Sequence, residues 1–215
     1  MDYSIIHLGG PEHTGPAEAA AVTTIIASHP GPLVLVISAF GGTAEALEAA
    51  AEYASPSAGS RFSESGKVAA EGNAARALRA ERLASLLYEK HLAFLVSLAP
   101  EPGEMRRACD RLAEIRDDLV RLLGGPHSSA ARRDRLRQTG ELLFAVCVVA
   151  AFSRVGRTAV LVESEALGRA LREAESGTGR EATLPAIRAA LRGHSTAVVP
   201  EYYMKLSGRQ PVRVE

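Results

Sequence analysis

A chain of 215 residues is long enough for one domain with a helical insertion and a substantial core. Lysine plus arginine and aspartate plus glutamate both total 25, a balance that points away from nucleic acid and anionic membrane surfaces as main partners. The start Met1-Asp2-Tyr3-Ser4 lacks a basic segment followed by an apolar one, and no apolar run approaches the ~20 residues of a spanning helix, so a cytoplasmic protein is expected.

In chain order, Ser4-Ile5-Ile6-His7-Leu8 reads as a short apolar strand running into the turn Gly9-Gly10-Pro11, with the His7 side chain pointing inward just before it. Glycines let backbone approach a ligand closely and expose N–H groups, the usual way of building phosphate and carboxylate sites. Ala17 to Ser28 then predicts a helix, stopped by His29-Pro30-Gly31-Pro32. A second strand, Leu33 to Ile37, ends in the small-residue loop Ser38-Ala39-Phe40-Gly41-Gly42-Thr43, and Thr43 to Tyr53 follows as a helix. Two successive strand, glycine loop and helix units imply a parallel sheet whose loops gather at the carboxyl ends of its strands.

Ser55 to Gly66 is rich in Ser, Gly and Pro, and is expected to be the disordered segment within the chain. From Lys67 to Phe152 the pattern is helical, broken into three pieces at Pro100 to Gly103 and at Gly124 to Ser129. The middle piece carries charges of alternating sign from Arg106 to Asp118, as expected of a solvated face laced with i,i+4 pairs. Cys109 and Cys147 fall in helical patterns with no CxxC pair or histidine cluster, and read as buried free thiols. Strands resume at Thr158 to Val162 and Ser195 to Val199, with helices expected at Ser164 to Ala174 and Thr183 to Leu191 between them. The order is therefore βαβα, a helical block spanning 67–152, then βαβ, within a single domain covering 1–215. No set of carboxylates is spaced for a metal ion, and no cofactor is implied.

Taken in order, several motifs resemble those of the aspartokinases, members of the amino acid kinase fold. His7-Leu8-Gly9-Gly10-Pro11-Glu12 stands where that family has K-F-G-G-T-S, and Ile37-Ser38-Ala39-Phe40-Gly41-Gly42-Thr43-Ala44-Glu45-Ala46-Leu47 parallels V-S-A-M-G-G-V-T-D-x-L. Glu89-Lys90-His91-Leu92 matches the helical E-R-H-L. Arg133-Asp134 through Gly140-Glu141-Leu142-Leu143 matches R-D-x-x-x-S-x-G-E-x-L, and Val198-Val199-Pro200-Glu201 follows V-V-P-G. The resemblance implies an open, mostly parallel α/β sheet flanked by helices. It places Gly9, Gly10, Ser38, Gly41, Gly42 and Glu141 around an amino-acid substrate, with Glu141 reading an ammonium or hydroxyl group and the loops reading a carboxylate.

The departures from the family are chemical. Phosphoryl transfer depends on positioned positive charge, yet the lysine of the first motif is replaced by His7, which is mostly neutral near pH 7. Pro11 removes a hydroxyl and a backbone donor. Glu201 and Met204 stand where the family has glycines, and a carboxylate there would repel a phosphate. Gln210 to Glu215 ends the sequence where the family continues into its nucleotide-binding half.

The sequence therefore predicts a degenerate aspartokinase homologue that is not an ATP-dependent kinase. It would retain a pocket for a small carboxylate or amino-acid-like ligand and support ATP-independent biosynthetic chemistry. In this reading His7 is the acid/base, Glu141 and Ser38 contact the substrate, and Gly9 and Gly10 cradle an anion. Tyr202, Tyr203 and Lys205, after the fourth strand, are directed to the same edge and could close the pocket. The alternatives are a non-catalytic partner subunit of another enzyme, or one half of a split aspartate kinase. Exposed sheet edges need cover, so a homodimer or a protein partner is expected through the helical block or the last strand.

Overall fold

The computed structural model describes residues 4–10, 16–53, 66–125, 130–163, 188–189 and 191–202. The segments 55–65, 164–174 and 183–187, for which disorder or helix was expected, lie outside the described residues, as do Tyr203, Met204 and Lys205. Four strands, β1 (Ser4–Gly10), β2 (Leu33–Phe40), β3 (Ala159–Leu161) and β4 (Thr196–Pro200), form one sheet in the order β1-β2-β4-β3. All three pairings are parallel. The helices are α1 (Pro16–Ser28), α2 (Thr43–Tyr53), α3 (Gly66–Leu98), α4 (Pro102–Gly124) and α5 (Ala130–Ala151), the last running into a 3-10 turn at Phe152–Val155.

Side chains alternate across a strand, so the register sorts the sheet into two faces. Ile6, Leu35 and Val198 share one level, as do Leu8 and Ile37, and all belong to or pack against the main core with Phe144, Cys147 and Phe152. His7, Val36 and Val199 share the level between them and therefore occupy the opposite face. β1 is an edge strand, and His7 is exposed rather than turned inward. That corrects the sequence expectation, which assumed that an apolar strand buries both its faces.

The helical block breaks where its Pro and Gly residues predict. α4 starts with Pro102 in its first turn, where the missing N–H costs nothing. Its buried residues Ala108, Leu112, Ile115, Leu119 and Leu123 follow a spacing of three or four. Arg107, Arg111, Arg116 and Arg121 on the other side each pair with a carboxylate. The Arg132 guanidinium donates to the carbonyls of Leu123 (2.7 Å) and Gly125 (3.1 Å), closing the exit from α4.

Within the described residues, the stretch Arg132–Val155 is long and apolar enough to cross a membrane by length and composition, which residue-by-residue reading of the sequence overlooks. It is the central core helix: 67% of its most apolar stretch is buried, and Phe144, Cys147, Val148 and Phe152 are fully enclosed. Cys147 is a buried free thiol whose pKa burial pushes up, whereas Cys109 is only half-buried.

Candidate functional site

The carboxyl ends of β1, β2 and β4 lie side by side, the edge at which open parallel sheets hold ligands. Gly9 makes this possible on β1. Its φ is +106°, and a Cβ there would stand 2.7 Å from the Ser38 carbonyl oxygen, so only glycine lets the first loop lie against the end of β2. The register slips between Leu8 and Gly10, and Gly10 then pairs with Phe40. Gly41 (φ +42°) and Gly42 (φ +74°) turn β2 into α2.

Beyond Pro200 the ladder continues by one bond, from the Glu201 N–H to the Ile37 carbonyl at 2.7 Å. Glu201 thus comes level with Ser38, whose hydroxyl donates to its carboxylate Oε2. Glu201 is 7% exposed, and a buried carboxylate is retained where donors satisfy it. His7 stands on the same face. The protein around it lowers its pKa from the ordinary 6.5, and the negative charge of Glu201 pulls in the opposite direction. At neutral pH the imidazole is therefore uncharged and able to accept a proton.

Glu141 reaches the same edge from the other side of the sheet. It lies in the middle of α5, since the helix begins at Ala130. Its stabilisation is local: Oε2 accepts the Tyr202 N–H at 2.6 Å, while the side chain is 6% exposed. Gly140 permits that approach. A Cβ at this position would meet Leu47 Cδ1 at 3.1 Å and Thr43 Cγ2 at 3.3 Å, so the bare backbone lets α5 press against the β2 to α2 junction.

Of the residues singled out from sequence, His7, Gly9, Gly10, Ser38, Glu141 and Tyr202 gather at this edge, with Tyr202 half-buried. Gly41 and Gly42 are committed differently. The Lys90 ammonium on α3 donates to the Gly41 carbonyl and stands 5.0 Å over the Phe40 ring, while Gly42 is exposed. Burial lowers the Lys90 pKa, against the opposing pull of Glu45. Next to it, His91 is fully buried, packs edge-on against Phe40, and bonds through Nδ1 to the Leu87 carbonyl at 2.7 Å.

Glu201 and Lys90 are the two charged residues that sequence reasoning passed over as site components. Glu201 had been noted only as a misfit in a glycine position, and Lys90 only as part of a helical motif. The signal that could have found Glu201 was its place directly after the five-residue strand β4, where a side chain must come level with the end of the neighbouring strand. Among the described residues no group of three His, Cys, Asp or Glu side chains could hold a metal ion. The chain matches no protein-family model and no curated protein sequence.

Proposed function

We propose that this chain is a degenerate homologue of the aspartokinases, on an amino-acid-kinase-like sheet, which binds a small amino-acid-like carboxylate and acts on it without ATP. The observation that carries the reading is the Ser38–Glu201–His7 cluster at the strand ends. A kinase site at this edge needs positive charge for the transferred phosphoryl group. The Lys90 ammonium is spent on the Gly41 carbonyl and the Phe40 ring, and what the strand ends otherwise offer is a neutral imidazole and two buried carboxylates, Glu201 and Glu141. Such a set suits an ammonium group, with the glycine turn at Gly9 and Gly10 beside it for a carboxylate. His7, uncharged at neutral pH, is the acid/base of this reading, because it can take a proton from a bound amino acid and return it. Ser38 holds the Glu201 carboxylate in place at the strand end.

The test is thermal unfolding of the full chain against a panel of amino acids and small carboxylates, with ATP consumption followed in parallel. A ligand at a hundred times its Kd stabilises by about 2.7 kcal/mol, a rise of about 5 to 10 °C in a chain of this length. The expected result is such a rise with an amino acid, lost in Glu201→Gln and in His7→Ala, with no ATP consumed. Aspartate-dependent ATP turnover would overturn the ATP-independent reading. Silence across the whole panel would overturn the pocket and favour the non-catalytic partner subunit.

A further inference from the structure

We propose that the outward face of α3 is a self-complementary seam on which a second copy of this chain packs antiparallel. One side of α3 is spent on the core, through Ala80, Ala84, Leu87, His91, Phe94, Leu95 and Leu98. The opposite side carries Leu78, Leu86 and Val96, exposed by 49%, 61% and 59%. These are three of the four large hydrophobic side chains exposed among the described residues. Ala75, Arg82, Glu89 and Ala93, all exposed, fill the intervals. Spacings of three and four residues put the whole set on one line along the helix, about 30 Å long.

The charges say what covers this line. Arg82 and Glu89, both exposed on this line, have no charged partner among the described residues. Seven residues apart, they are separated by about 10 Å of helix rise and do not pair with each other. A twofold axis passing between Ser85 and Leu86 solves both problems at once. It sets Arg82 against Glu89 of the second copy and Glu89 against its Arg82, so that two ion pairs flank the axis. It sets Leu78 against Ala93, Val96 against Ala75, and Leu86 against Ser85, so that each large side chain meets a small one, the alternation that interdigitated helix packing requires. Parallel packing would place Arg82 against Arg82 and oppose like charges. An isologous contact of this kind closes on itself and stops at a dimer, and the antiparallel arrangement also opposes the helix dipoles favourably.

The seam faces away from the core side of α3 and does not depend on the ligand reading, so a failed ligand titration leaves it standing. Sedimentation velocity on the full chain at micromolar concentration tests it, with circular dichroism to confirm folding of each surface variant. The wild type is expected to be a dimer. Arg82→Glu and Glu89→Arg should each weaken it by at least about tenfold, since each opposes two pairs of like charges. The double reversal, Arg82→Glu with Glu89→Arg, should restore it, and Leu86→Asp beside the axis should abolish it. A monomeric wild type would overturn the proposal. So would a dimer indifferent to these substitutions, or a double reversal that fails to recover what the single ones lose.

Discussion

At the scale of single residues, the site depends on positions where backbone rather than side chain is the functional element. Gly9 is the clearest, because its positive φ and its contact with the Ser38 carbonyl each exclude a side chain independently. Gly9→Ala is expected to cost at least about 2 kcal/mol, from the unfavourable conformation and from displacing the end of β1, as measured by urea denaturation. By contrast, an alanine at Gly31, with open space around it, should be close to neutral. The sequence made Gly9 visible through its Gly-Gly doublet. It did not show that the neighbour to be approached is Ser38, since that contact joins two strands across the sheet.

Among the elements, α5 decides the geometry, because it packs beneath β2 and β4 and also delivers Glu141 to the end of β4. Its closeness to α2 rests on Gly140. Alanine is the better helix former by about 1 kcal/mol, so Gly140→Ala would stabilise an isolated helix. Here the added methyl would stand 3.1 Å from Leu47 Cδ1, on a side chain that is fully buried. The substitution should therefore destabilise the protein by about 1 kcal/mol or more, and the accompanying shift of α5 should change the amide resonance of Tyr202. A stabilised protein with an unmoved Tyr202 resonance would contradict this account. Similar anchoring holds α1 at its end. Arg157, packed on Phe152, donates to the carbonyls of Ile26 (2.9 Å) and Gly31 (3.1 Å) and also reaches that of His29.

For the molecule as a whole, the buried His91 links stability to pH. Because the Leu87 carbonyl can only accept, Nδ1 carries the proton of the neutral ring, and Nε2 is left buried without a hydrogen-bond partner among the described residues. Burial lowers the pKa from 6.5 to about 4. The unfolded chain then binds the extra proton below pH 6.5 and the folded chain only near pH 4. Stability is therefore complete above 6.5, falls as pH drops toward 4, and levels off below it. The loss over that window is about 3 kcal/mol. His91→Phe should flatten the pH dependence of urea midpoints between pH 4 and 6.5, and an unchanged slope would refute the assignment. The lowered His7 pKa acts with the same sign but at an exposed position, so its share is smaller.

The local sequence determined the order of the described elements, the three-way break of the helical block and the small-residue loops at strand ends, because apolar periodicity, proline and glycine act within a few residues. Membership of the sheet edge was legible for Gly9, Ser38 and Tyr202 for the same reason. What only the tertiary structure decided was which side chains meet: β4 inserts between β2 and β3, brings Glu201 level with Ser38, and lets Glu141 reach across from α5. It also set His7 on the outer face of an edge strand rather than in the core. The pairing that brings Glu201 to Ser38 joins Leu33 to Thr196, 163 positions apart in the chain, and no local pattern encodes such a distance.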